Sequence, residues 1–447
     1  MITKLGAGRL LLLTAVILCV AITTGTFVTL FLFLLDKAIH FRFSHRWLLY
    51  LLPVAGLVTH FIYQSVGKSA EKGNDLIIEQ IHQGGGAVPP QMAPVILLST
   101  LLTHLFGGSA GREGTAVQTG GSIAAFFSTL VRVAPADLSI ILIAGIAGGF
   151  AAVFGTPVAG AIFALEVLAI GKIDYKAIIP ALSAAVIANL TVAAWGFSHL
   201  HYHIELSAIE LSSLKESSFY QLLLLVKIIA ASAGFGLAGY LFSVLNHEVK
   251  AVSKKLLKHK WMIPVAGGLT VVALTLLLGQ PDYLNLGVDA EYPGAVTISS
   301  AFKPGGAGPF SWLWKIIFTV LTIGTGFKGG EITPLFYIGA TLGNTLASIL
   351  RSPVGLFAAL GFIGVFAGAT NTPIASTIMG VELFGGDYLL FFAVSCITAY
   401  VFSGHSGIYM AQKIGVPKFF ANRSDTSLSE AMIRRGYLHE KFKRYRF

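Results

Sequence analysis

Charge is scarce in this chain: Asp, Glu, Lys and Arg make up 12% of its 447 residues, about half of the roughly 25% typical of soluble globular domains. With 55% hydrophobic residues and a mean hydropathy of +0.76, too little polar surface remains for a water-soluble fold. The chain reads as an integral membrane protein without a separate soluble domain. Cysteine is scarcer still. Cys19 and Cys396 are the only two, far apart and inside apolar stretches, which excludes a disulfide framework and the CxxC pairs of a zinc site. The sequence holds no HExxH and no aspartate pair in facing apolar segments, so neither an enzyme nor a cofactor is expected. The excess of 31 Lys and Arg over 21 Asp and Glu fits basic cytoplasmic loops and tails. It is not read as a nucleic-acid patch.

Long apolar stretches are abundant. The first, from about Leu10 to Leu35, exceeds the 7–15-residue core of a signal peptide and lacks a small-residue cleavage site, so it is read as a membrane helix. Others lie near 47–66, 92–106, 116–131, 138–153, 157–170, 176–197, 219–245, 261–279, 310–325, 334–350, 353–369, 374–385 and 388–402. Many are too short to span a hydrocarbon core of about 30 Å, and Gly148-Gly149, Gly155-Thr156-Pro157 and Asn371-Thr372-Pro373 interrupt them. Backbone breaks at membrane depth are tolerated only where they are buried in protein or line a polar cavity. The 50 glycines suit close helix packing around such a place.

The sequence repeats itself. Phe150-Ala151, Thr156-Pro157, Ala159, Ile162 and Glu166 recur 216 positions later as Phe366-Ala367, Thr372-Pro373, Ala375, Ile378 and Glu382. Upstream, Gly111 and Gly120 match Gly330 and Gly339. The expectation is an all-α polytopic membrane protein of two inverted-topology repeats with short, broken and re-entrant helices: 1–205 and 218–420, a linker at 206–217, and a short basic cytoplasmic tail at 421–447. Basic clusters at Lys4 and Arg9 and at Lys441 to Arg446 place both termini in the cytoplasm. Inverted repeats with interrupted helices point to a transport site near the midplane.

Ionisable residues inside apolar helices are functional candidates. Glu113 sits in Gly108-Ser109-Ala110-Gly111-Arg112-Glu113-Gly114-Thr115, where flanking glycines free backbone N–H groups before a helix expected near Thr115. A helix N-terminus is an anion site, and a carboxylate beside it can compete with the anion. An isolated Arg112–Glu113 pair would read as a surface salt bridge; the glycines and the repeat partner turn it into an anion gate that opens on protonation. That partner is Gly326-Phe327-Lys328-Gly329-Gly330-Glu331-Ile332-Thr333-Pro334, with Pro334 at a first helical position. One helix terminus stabilises a nearby charge by about 0.3–1 kcal/mol, less than the several kcal/mol needed to desolvate an anion. Two converging termini with side-chain donors are needed, which directs attention to Asn74, Thr333 and Tyr409. Alone, Asn74 reads as a helix cap and Tyr409 as an interfacial anchor.

The order Gly73-Asn74-Asp75-Leu76, Gly111-Arg112-Glu113-Gly114, Gly330-Glu331-Ile332-Thr333-Pro334 and a late Tyr409 resembles the CLC anion channels and proton-coupled antiporters across essentially the whole chain. The resemblance implies a homodimer with one pathway per subunit, Glu113 as the external gating glutamate, and anion coordination around Asn74, Gly111, Arg112, Gly114, Gly330, Glu331, Ile332, Thr333 and Tyr409. Relatives that handle chloride carry a serine where Asn74 stands and lack an acidic residue like Glu331. The internal proton glutamate of many chloride antiporters falls on Val167. These departures resemble the bacterial fluoride/proton antiporter branch. The implied function is export of fluoride against protons across a bacterial inner membrane, giving fluoride resistance; the alternative is chloride/proton antiport or a passive anion channel. Fluoride is small and strongly hydrated, so strong donors such as the Asn74 amide and Thr333 hydroxyl suit it.

Glu166 and Glu382 are expected to bond backbone groups beside the helix breaks, and His104 to be a satisfied buried histidine. Glu331 is open between proton movement and an aqueous vestibule. Lys254 to Lys260 reads as a loop against anionic lipid.

Overall fold

The computed structural model describes residues 6–84, 88–199, 202–204, 218–418 and 426–431. The linker at 206–217 and the tail at 421–447 apart from 426–431 lie outside these residues. The helices are α1 (Ala7–Ser44), α2 (Leu52–Ser65), α3 (Asn74–Gln83), α4 (Met92–Leu105), α5 (Glu113–Leu130), α6 (Pro135–Phe154), α7 (Pro157–Glu166) and α8 (Ile178–Ala194), then α9 (Ser218–Leu256), α10 (Met262–Leu278), α11 (Ser311–Gly324), α12 (Ile332–Leu350), α13 (Val354–Thr370), α14 (Pro373–Phe384) and α15 (Leu389–Phe402). One small sheet joins Ala169–Ile170 in parallel to Lys413–Ile414, which pairs antiparallel with Thr426–Ser427. The protein is an all-α polytopic membrane protein.

Apolar runs became helices, and the breaks fall where the sequence puts Gly, Asn and Pro. Gly155 ends α6 with φ 73°, and Asn371 ends α13 with φ 59°; both are left-handed positions that glycine and asparagine tolerate. Each is followed by a proline at the start of the next helix. Helix α7 has 10 residues, about 15 Å at ~1.5 Å per residue, half of a bilayer core. Helices α1 and α9 outrun their apolar stretches, reaching Ser44 and Leu256. For α1 the reason is a buried partner: Arg42 pairs with Glu291 from the 279–310 segment, and Arg46 lies 3.1 Å from the same carboxylate. Lys315 also holds this segment, donating to the carbonyls of Tyr283 (3.2 Å), Leu284 (3.3 Å) and Asn285 (2.7 Å).

Equivalent elements of the two halves meet in antiparallel fashion. On α2 and α10, Gly56 packs on Pro264 while Gly268 packs on Pro53. The Glu166 carboxylate at the end of α7 accepts the N–H groups of Ile374 (3.1 Å) and Ala375 (2.8 Å) at the start of α14. Glu382 at the end of α14 accepts those of Val158 (2.9 Å) and Ala159 (2.8 Å) at the start of α7. Each carboxylate thus satisfies helix-start donors that have no intrahelical partner, the structural role expected of it. Reciprocal contacts of this kind are the mark of a two-fold relation. Because it reverses helix direction, the repeats are inverted. Close approach at the same places needs glycine: a Cβ on Gly120 would lie 2.0 Å from the Gly145 oxygen, and one on Gly339 2.0 Å from the Gly361 oxygen.

Candidate functional site

The two Gly-rich turns meet head to head. Gly111 and Gly330 exchange backbone hydrogen bonds, N–H to O=C, at 2.6 and 2.7 Å. Helix α5 starts directly after the first turn and α12 directly after the second, so the free N–H groups of both helices face one place. Helix α5 begins at Glu113 itself, two residues earlier than expected, and α12 begins at Ile332, which makes Pro334 its third residue and not its first. Proline loses nothing there, because the first four helical N–H groups lack intrahelical acceptors.

Glu113 is completely buried at this junction. Its Oε2 accepts the N–H of Arg112 at 3.1 Å and that of Thr333 at 3.0 Å, and its Oε1 accepts the Thr333 hydroxyl. A surface pair with Arg112 is excluded: among the described residues Arg112 hydrogen-bonds Glu113 through its backbone only, and it lines a small cavity with His199, Tyr202, Thr333 and Phe336. Glycine makes room for the carboxylate. A Cβ on Gly111 would lie 2.5 Å from Glu113 Oε2, and one on Gly330 2.9 Å from the same atom. The carboxylate therefore occupies the donors that an anion at the two helix starts would use.

Asn74 approaches from α3, in the same half as Glu113. It opens α3 after Gly73, whose φ is 60°. A Cβ on Gly114 would lie 3.0 Å from the Gly330 Cα and 3.4 Å from Asn74 Nδ2, so the Asn74 amide abuts the paired turns. Its Oδ1 is buried without a hydrogen-bond partner. Asn74 does not cap α3; the capping position belongs to Gly73. The structure thus brings together Glu113, Gly111, Gly114, Gly330, Ile332, Thr333 and Asn74, with Arg112 and Glu331 as the residues preceding the two helices.

Tyr409 is buried, edge-on to Phe163 with ring centroids 6.4 Å apart, and Glu331, Glu113 and Asp75 are the charges acting on it. Two residues with no forecast role hold it. Asp75 Oδ1 accepts the Ala411 N–H at 3.0 Å, and Gln412 Nε2 donates to the carbonyls of Val167 and Thr370 at 3.0 Å each. Asp75 was within reach of sequence reasoning as the neighbour of Asn74; Gln412 carried no periodic or motif signal. Gln118, also unforecast, packs beneath Gly73 with its Oε1 buried and unpartnered. Val167 is buried and offers no titratable group. His104 is only half satisfied: its Nε2 lies 3.5 Å from the Gly111 oxygen, and Nδ1 has no partner.

The chain is similar to known proteins in sequence and fold. The family model described as voltage gated chloride channel matches residues 54–404. A chloride/fluoride channel protein of Pseudomonas syringae pv. tomato is 45% identical over 401 residues, 89% of this chain and 86% of that protein. The crystal structure of a CLC-type fluoride/proton antiporter matches with a TM-score of 0.84 at 35% identity, covering 92% of this chain and 99% of that one. A slow cyanobacterial Cl⁻/H⁺ antiporter matches at TM-score 0.70 and 15% identity, over 88% and 94% of the two chains, a likeness of fold alone.

Proposed function

The chain belongs to the voltage-gated chloride channel family, and on that premise we propose that it is a fluoride/proton antiporter which exports fluoride and so confers resistance to it. The observation that carries this reading is the Glu113 carboxylate bound to the start of α12. An ionised Glu113 closes the pathway by filling the donor site. Protonation removes its charge, weakens its hold on the N–H groups, and lets an anion take its place. Proton binding and anion access then alternate at one set of donors, which is what couples the two fluxes.

The anion is held by the backbone around Gly111, Arg112 and Gly114 and around Gly330, Glu331 and Ile332, together with the side chains of Asn74, Thr333 and Tyr409. The Asn74 Nδ2 donor beside the paired turns supports its place in this set. Glu331 carries a second carboxylate directly before α12, and we assign it to the inner vestibule with a part in proton movement. The basic face, with Lys250, Lys254, Lys255, Lys258 and Lys260, is assigned to the cytoplasm of a bacterial inner membrane, with both termini on that side. The protein acts as a homodimer with one pathway per subunit, and the exposed apolar row Ile179, Leu182, Val186 and Leu190 on α8 supports a partner or lipid there. It has no catalytic role as an enzyme.

Chloride/proton antiport or passive conduction is the second reading, favoured by the words channel and chloride in the name of the Pseudomonas relative. Purified protein in liposomes, followed with fluoride, chloride and pH electrodes together, separates the readings. Fluoride efflux that drives proton uptake against a gradient is expected; flux without proton movement would select the channel, and chloride carried as well as fluoride would select the chloride antiporter.

A further inference from the structure

Asn371 and Gly155 stand at equivalent positions of the two halves, each directly before a Thr-Pro break. Both take the left-handed conformation, with φ of 59° and 73°. The first half uses the backbone alone there: a Cβ on Gly155 would lie 2.5 Å from the His199 ring. The second half carries a side chain. Asparagine visits this conformation more readily than most residues, which explains why it is allowed and leaves open what its amide does.

The Asn371 side chain is buried and hydrogen-bonded at both ends. Its Nδ2 donates to the Ser406 carbonyl at 3.0 Å and to Gln412 Oε1 at 2.9 Å, and its Oδ1 accepts the Lys418 ammonium at 2.6 Å. Tyr409 lies midway between Ser406 and Gln412 in sequence. One nitrogen therefore clamps both ends of the segment centred on Tyr409, using the two N–H donors that an amide supplies. Inside the clamp, the Ile408 N–H donates to the Ala369 carbonyl at 2.9 Å, and the Ala411 N–H donates to Asp75, the neighbour of Asn74, at 3.0 Å.

We propose that Asn371 is a positioning residue, whose side chain holds the 406–412 segment so that the Tyr409 hydroxyl keeps its place in the anion site. The proposal rests on the reading of Tyr409 as an anion ligand. Asn371 is not itself among the anion donors, and its effect passes through Tyr409. Without the amide, the Ser406 carbonyl and Gln412 Oε1 lose a donor in a buried place. The bonds from Ile408 and Ala411 remain and keep the segment folded.

Asn371→Gly copies the first half: it keeps the left-handed backbone and deletes the clamp. Initial flux of fluoride and, separately, of chloride is measured against anion concentration at fixed pH in liposomes holding the full chain. The series comprises the parent, Asn371→Gly, Tyr409→Phe and the double variant. Asn371→Gly is expected to raise the half-saturating anion concentration about tenfold, with maximal flux within about threefold, and to add less than about twofold once Tyr409 is already Phe, because changes that act through one hydroxyl are not additive. Asn371→Asp keeps the acceptor for Lys418 and replaces the donor nitrogen by oxygen. It should show the same rise, and it carries the test if the glycine variant fails to fold. Parental half-saturation in either variant, or a loss confined to maximal flux, overturns the clamp while an impaired Tyr409→Phe leaves Tyr409 as a ligand. Full additivity with Tyr409→Phe overturns it too, leaving Asn371 a structural part only. Tyr409→Phe with parental half-saturation for both ions removes Tyr409 from the anion site, and the inference with it.

Discussion

Thr333 holds Glu113 at both carboxylate oxygens, its hydroxyl donating to Oε1 and its backbone N–H donating to Oε2 at 3.0 Å. The two residues are 220 positions apart in sequence and open equivalent helices, so the carboxylate of one repeat is latched by the helix start of the other. Hydrogen bonds to a charged group contribute about 1.5–3 kcal/mol each. On the proposed mechanism, this latch holds the pathway shut while the carboxylate is ionised and releases when it is not.

Glu113→Gln removes the exchangeable proton and turns one acceptor oxygen into a donor that faces Thr333. Proton uptake driven by fluoride is expected to fall at least about tenfold, while the variant folds, since a neutral amide is easier to bury than a carboxylate. Parental coupling in Glu113→Gln, measured with a pH electrode, would take Glu113 out of the mechanism.

Thr333→Val keeps volume and the backbone N–H but deletes the hydroxyl. A lost buried donor costs about 1–3 kcal/mol, so fluoride turnover is expected to drop roughly tenfold. Thr333→Ser should restore most of it. Liposome efflux gives the comparison, and a Val variant as fast as the parent would leave the hydroxyl without a part in transport.

Why the meeting of the two glycine-rich turns was legible in sequence and its supports were not follows from where the information sits. Gly111, Glu113, Gly330 and Thr333 lie in two short glycine-rich turns, and backbone chemistry at a helix start is local. The roles of Glu166 and Glu382 were legible too, because a carboxylate beside a repeated Thr-Pro break has helix-start donors as its natural partners. The local stretch around Asn74 could not by itself exclude a cap: whether an Asx side chain folds back or reaches out depends on what stands opposite, here Gly114. Gln412 depends on the carbonyls of Val167 and Thr370, which only folding brings to it. The 279–310 segment gave no periodic pattern, since its burial is arranged by Arg42 and Lys315 from distant helices.

Arg132 and Arg351 offer a direct test of orientation in the membrane. They end α5 and α12 in matching left-handed conformations, with φ of 53° and 48°, and both are exposed. With inverted repeats a cysteine at one position should react with an impermeant thiol reagent from the cytoplasmic side and a cysteine at the other from outside. The parent for this work should lack Cys19, which is exposed. Labelling of Arg132→Cys and Arg351→Cys from the same side would sink the assignment.

Asn74 is expected to set halide preference. Its amide carries two N–H donors where a serine has one, and it stands against the turns that carry the anion donors, with its own oxygen left unpartnered. A small anion gains most from short, strong contacts, and loss of one buried donor at about 1–3 kcal/mol reaches more than a hundredfold in an equilibrium constant at the upper end. Asn74→Ser should therefore lose fluoride-over-chloride selectivity while still transporting, because the backbone donors of α5 and α12 remain. A helix-capping role predicts little change, since Ser caps about as well as Asn, and the side chain makes no capping bond to begin with. The fluoride-to-chloride flux ratio decides between them: a ratio equal to that of the parent would assign the selectivity to the backbone turns and leave Asn74 as a spacer.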